Sequence, residues 1–150
     1  MYRIEKSFRF EAAHQLLPGC FSNACSDCIH GHSYKCTVVL ESIRLDRYGM
    51  VLDFGVLKGF IESIRKEYDH GVLLPGTIAR RLKAIDDDPA SGLFGTQKKI
   101  VDFGCNPTAE NIACQIGEKL CDFLSNEWPG VKVVGVRVQE TETGLAEWRP

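Results

Sequence analysis

Tyr2, Ile4, Phe8 and Phe10 fall on alternate positions, with polar residues mostly between them. A period of two sends successive side chains to opposite faces, so this stretch predicts a β-strand with one buried face. Tyr34, Cys36, Val38 and Leu40 repeat the pattern in a second strand that begins at His30-Gly31-His32. The chain between them holds Pro18, Gly19, Ser22 and Asn23, the composition of a loop. Arg47-Tyr48-Gly49-Met50 reads as another turn. From Val56 to Tyr68 the apolar residues (Val56, Leu57, Phe60, Ile61, Ile64, Tyr68) shift to helical offsets, with Asp53 or Gly55 placed to cap. A second helix is signalled by Asn106-Pro107-Thr108-Ala109-Glu110: Asn is a good N-cap, Pro suits the first helical position, and Glu110 suits the positive end of the dipole. Its apolar side carries Ile112, Ala113, Ile116, Leu120, Phe123 and Leu124, and Cys114 and Cys121 share a face that predicts burial. After Pro129-Gly130, Val131, Val133, Val136 and Val138 mark a third strand, and Leu145 to Trp148 a fourth. Residues 75–105 are less regular, with a short helix expected over 78–85 and a short strand over 99–103. The strong elements make an α+β domain, two helices on one face of a four-stranded antiparallel sheet.

Composition narrows the class. At 150 residues the chain fits one domain, 1–150, with length enough for a core. The net charge of −2, with no Lys/Arg block, excludes the electrostatic footprint of a nucleic-acid binder. No apolar run is long enough to span a membrane, and the charged start Met1-Tyr2-Arg3-Ile4-Glu5-Lys6 is unlike a signal peptide. A cytoplasmic protein is expected, and in that setting seven cysteines point to burial, metal or catalysis rather than disulfides.

The four histidines fall in chemically loaded places. His30 and His32 are two apart, which on a strand turns both imidazoles to one face. His14 could add a third nitrogen from a neighbouring strand. Three protein ligands leave one tetrahedral position open, the arrangement of a catalytic rather than a structural zinc. A rival set, Cys25 and Cys28 with His30 and His32, could close a Cys₂His₂ structural zinc, but it leaves His14 without a role. His70 follows Asp69 directly, and a carboxylate beside an imidazole fixes its tautomer and raises its basicity.

Six segments in order carry a family resemblance: Phe10-Glu11-Ala12-Ala13-His14, His30-Gly31-His32-Ser33-Tyr34, Gly49-Met50-Val51-Leu52-Asp53-Phe54, Asp69-His70, Asn106-Pro107-Thr108-Ala109-Glu110-Asn111 and Val138-Gln139-Glu140-Thr141. The chain resembles the 6-pyruvoyl-tetrahydropterin synthase family, including its 6-carboxy-tetrahydropterin synthase branch, over nearly its whole length apart from residues 75–104. The resemblance implies the tunnelling fold, in which subunits join edge to edge into rings that stack. It implies a homo-oligomer, commonly a hexamer, with active sites between subunits. It also implies zinc held by His14, His30 and His32, and 7,8-dihydroneopterin triphosphate as substrate, with the metal on its side-chain hydroxyl oxygens.

The same resemblance assigns the remaining roles. A base removes a proton from a side-chain carbon, and the family's catalytic cysteine lies in the loop before His-Gly-His. Cys25 is favoured here; Cys28, Asp27 and Cys20 are alternatives, because the spacing matches neither common form of the family. Asp69 and His70 are implied to assist that base from an adjoining subunit. Glu140 is implied to accept the pterin's 2-amino and N3–H donors, and Thr108 to hold the pterin or simply to cap its helix. Gly71-Val72-Leu73-Leu74-Pro75 lacks an Asn common in relatives. Arg80, Arg81, Lys83, Lys98 and Lys99 could meet triphosphate oxygens, although a solvated basic face explains them as well. The expected product is 6-carboxy-5,6,7,8-tetrahydropterin, with acetaldehyde and triphosphate released, on the route to queuosine and other 7-deazaguanines. The alternatives are 6-pyruvoyl-tetrahydropterin synthesis and a non-catalytic pterin-binding relative.

Overall fold

The computed structural model describes residues 1–19, 27–86 and 99–150. Strands β1 (Tyr2–His14) and β2 (His30–Ser42) run antiparallel over 13 residues each, with Ala12 opposite His32 and His14 opposite His30. Strands β3 (Gly71–Pro75) and β4 (Ile100–Gly104) lie beyond β1, and β5 (Lys132–Gln139) and β6 (Leu145–Trp148) lie beyond β2. Helices α1 (Phe54–Tyr68), α2 (Gly76–Asp86) and α3 (Ala109–Ser125) complete the described elements.

All four strands expected from alternation are present, but the sheet is larger and mixed rather than four-stranded and antiparallel. Its order is β4-β3-β1-β2-β5-β6, and β3 pairs parallel with both β1 and β4. The β3–α2–β4 segment is a parallel crossover, so the described helices number three, the two long ones and α2. Leu73 and Leu74 are fully buried, which explains the run of apolar residues without alternation. The short helix and short strand expected within 75–105 are α2 and β4.

The sheet's inner face is written in the even positions of β1 and β2. Phe8, Phe10, Ala12, Tyr34, Cys36, Val38 and Leu40 join Val133, Val136 and Val138 of β5 in one core. Leu57, Phe60, Ile61 and Ile64 of α1, and Ile112, Ile116, Leu120 and Leu124 of α3, cover that face. In β5 the inward residues change parity between Val133 and Val136, and a bulge opposite Val39/Leu40 absorbs the slip. Cys121 packs against the core, whereas Cys114 is only half-buried and stays outside it.

The caps differ in an informative way. Asp53 caps α1, its side chain accepting from the Gly55 N–H. Thr108 rather than Asn106 caps α3, accepting from the Asn111 N–H, so Pro107 precedes the cap instead of opening the helix. Asn106 instead ties α3 to the end of β1, accepting from the Leu17 N–H at 2.8 Å.

Candidate metal centre

The long β1–β2 pair ends where His14 and His30 face each other, and His32 lies two residues inward on the same side. The ligand-capable atoms of the three imidazoles lie within 4.8 Å of one another. His14 Nε2 and His30 Nε2 are 3.0 Å apart. Tetrahedral zinc, with Zn–N of about 2.0–2.1 Å, brings its nitrogens to about 3.3 Å from each other, so this spacing suits one small metal ion. Among the described residues His32 Nε2 is buried without a hydrogen-bond partner. A buried orphan nitrogen is costly unless something occupies it, and a metal ion would. Cys28 is exposed and stands outside the group. Cys20 and Cys25 lie outside the described residues, as does the Cys₂His₂ rival that needs Cys25.

The surroundings prepare the ring nitrogens. His14 Nδ1 lies 2.8 Å from the Pro107 carbonyl, which can only accept, so Nδ1 carries the proton and Nε2 keeps its lone pair. The Thr108 N–H donates to the Asn106 carbonyl at 2.8 Å, closing the turn around Pro107. Burial pushes the His14 pKa down, opposed by Pro107 and Glu140 and reinforced by the neighbouring imidazoles. Burial likewise lowers that of His32, against the attraction of Glu140. Both effects favour neutral rings, the form a metal requires.

Glu140 closes one side. Its Oε1 lies 3.6 Å from His14 Nε2 and 3.9 Å from His32 Nε2. The fully buried Tyr34 hydroxyl lies 3.1 Å from His14 Nδ1 and 3.5 Å from Glu140 Oε1. The sequence pattern marks Tyr34 as a strand position and Pro107 as a helix start, and neither as part of the site. Tyr34 stood within the His30–Tyr34 motif, whereas a backbone carbonyl leaves no side-chain signature.

Asp69 and His70 form a separate feature. Asp69 Oδ1 accepts from the Glu11 N–H at 2.7 Å, and the His70 N–H donates to the Glu11 carbonyl at 2.6 Å. This clamp grips β1 just before β3 takes over its edge. His70 has φ of 58°, the one positive φ outside glycine among the described residues. Such strain persists where surrounding contacts enforce it, often at functional sites. Asp69 Oδ2 lies 3.1 Å from His70 Nδ1. Burial works against ionisation of Asp69, but the Glu11 N–H and His70 outweigh it and lower its pKa. The His70 ring is well exposed, and no hydrogen bond or ion pair joins Asp69 or His70 to the three imidazoles among the described residues. His32 and His70 do line one groove of about 460 Å³, with Glu11, Gly31 and Ser33 between them.

Two of the basic residues between 75 and 105 have local partners. Arg80 pairs with Asp102 at 3.6 Å, and Lys99 donates to the Asp69 carbonyl at 2.6 Å. Lys98 lies outside the described residues. No helix among the described residues is long and apolar enough to cross a membrane.

Comparison with known proteins agrees with this geometry. A family model described as 6-pyruvoyl tetrahydropterin synthase matches residues 3–150. The chain is 30% identical to the 6-carboxy-5,6,7,8-tetrahydropterin synthase of Aquifex aeolicus, over 99% of this chain and 98% of that protein. A solved structure of an uncharacterized protein from Wolinella succinogenes is similar at a TM-score of 0.78 and 26% identity, covering 99% of this chain and 97% of the other. The 6-pyruvoyl tetrahydropterin synthase of Caenorhabditis elegans shares the fold at a TM-score of 0.66 and 24% identity, covering 99% and 95%.

Proposed function

The chain belongs to the 6-pyruvoyl tetrahydropterin synthase family and is a lyase-type enzyme of that family, and from this premise we propose that it converts 7,8-dihydroneopterin triphosphate and water to 6-carboxy-5,6,7,8-tetrahydropterin, acetaldehyde and triphosphate. The observation that carries the reading is the convergence of three imidazoles beside the Glu140 carboxylate, one of them with a buried nitrogen that has no hydrogen-bond partner among the described residues. Names of curated bacterial relatives favour the 6-carboxy product over the 6-pyruvoyl one, and with it a place in queuosine synthesis.

In this reading the metal is zinc, and when bound by His14, His30 and His32 it supplies Lewis acidity to the substrate's side-chain oxygens. Glu140 accepts the paired N–H donors of the pterin edge, a two-point contact that selects this ring system. Asp69 holds the proton of His70 on Nδ1, which leaves Nε2 able to take up or pass on a proton. Cys25 is the base that opens the reaction, its thiol proton passed to His70 so that the thiolate forms without net proton release. As the family resemblance implies, Asp69 and His70 assist this base from an adjoining subunit; among the described residues of one chain no hydrogen bond or ion pair joins them to the three imidazoles. The same reading makes the enzyme a cytoplasmic ring-shaped homo-oligomer, a hexamer of shared sites.

Incubation of zinc-loaded protein with 7,8-dihydroneopterin triphosphate, followed by mass spectrometry and trapping of acetaldehyde, tests the proposal. A 6-carboxy-tetrahydropterin mass with acetaldehyde is the expected result. A 6-pyruvoyl product would move the enzyme to the other branch, and unchanged substrate would overturn the assignment.

A further inference from the structure

Tyr34 belongs to neither the ligand set nor the proton-transfer pair, yet its hydroxyl touches both ends of the site. The residue is fully buried on β2, and its ring stacks on Phe10 at 5.1 Å between centroids. That packing fixes where the hydroxyl points. His14 Nδ1 carries a proton, because the Pro107 carbonyl 2.8 Å away can only accept it. Tyr34 Oη, 3.1 Å from the same nitrogen, therefore meets an N–H and shares it as a second acceptor. Its O–H donates to Glu140 Oε1 at 3.5 Å, the outer limit of such a bond, since a carboxylate can only accept. These contacts run in one direction, from the His14 N–H through the Tyr34 hydroxyl to the Glu140 carboxylate.

We propose that Tyr34 is a positioning residue that couples occupancy of the His14–His30–His32 site to the affinity of Glu140 for a pterin edge. The inference rests on reading Glu140 as the pterin contact. A cation on His14 Nε2 makes the opposite N–H a stronger donor, which in turn strengthens the Tyr34 O–H toward Glu140. The carboxylate is then held in one orientation instead of several. Tyr34→Phe removes only this oxygen and keeps the ring that fills the core.

The test uses unsubstituted pterin, which presents the ring edge but has no side-chain hydroxyls to reach a metal. Its binding is followed by fluorescence in zinc-loaded and metal-free protein. In the unsubstituted protein, zinc is expected to tighten pterin binding by about tenfold, the value of one hydrogen bond to a charged group. In Tyr34→Phe that gain should vanish, while zinc affinity measured by chelator competition stays within about tenfold because Pro107 still holds the His14 tautomer. In a Glu140→Gln background, Tyr34→Phe should have no further effect on pterin, a non-additivity that a general packing defect would not produce. A zinc-dependent gain that survives in Tyr34→Phe overturns the inference alone. Failure of the unsubstituted protein to bind pterin at all overturns it together with the assignment of Glu140.

Discussion

Zinc added to the metal-free protein at pH 7.5 should release about one proton or fewer per chain. Three histidines of ordinary pKa, near 6.5, together carry only about 0.3 proton at that pH. Burial holds the pKa values of His14 and His32 lower still, so their share is smaller. A water that took the open position and ionised near neutral pH would add less than one more proton. A Cys₂His₂ site built on Cys25 and Cys28 behaves differently, since two thiols of pKa about 8.5 are some nine-tenths protonated at pH 7.5 and must both ionise, which releases about two protons. Calorimetric titration in several buffers of different ionisation enthalpy gives the proton count directly. The double variant Cys25→Ser/Cys28→Ser should leave both count and affinity unchanged. Release of two protons, lost in the double variant, would refute the three-histidine centre.

Other consequences follow from the same geometry. His70→Asn should keep zinc but lower kcat by about 10²- to 10⁴-fold in steady-state assays, the range for loss of a general acid–base group; unchanged kcat would remove His70 from the chemistry. Metal-free protein should lose stability as the pH falls below about 6.5, because His14 and His32 bind protons more readily unfolded than folded, and stability recovers as pH rises through that value. Urea unfolding at pH 5 and pH 8 checks the sign, and saturating zinc should raise the midpoint at pH 8. Asp53→Ala removes the α1 cap, which should cost about 1 kcal/mol and lower Tm by about 2–4 °C.

The sequence was most readable where burial is one-sided. Alternation in β1 and β2 gave strands and inner face together, and with them the shared direction of His30 and His32. The β3 strand was missed because a parallel strand buried on both faces loses alternation, so Leu73 and Leu74 looked only like a departure from the family's usual residues. The α3 start was displaced by two residues because Asn106, Pro107 and Thr108 all suit a helix N-terminus, and only tertiary contacts choose among them: Asn106 is taken up by Leu17, and the Pro107 carbonyl by His14. The metal ligands could be found from side-chain type and spacing. The groups that orient them are a backbone carbonyl and a core tyrosine, which carry no comparable signal.

The most direct test is to titrate metal-free protein with zinc while measuring triphosphate release from 7,8-dihydroneopterin triphosphate. Activity should rise linearly and stop at one zinc per chain, and His14→Ala should show neither stoichiometric binding nor turnover. Full turnover in chelator-treated protein, or in His14→Ala, would contradict the assignment of these three histidines as the centre of the reaction.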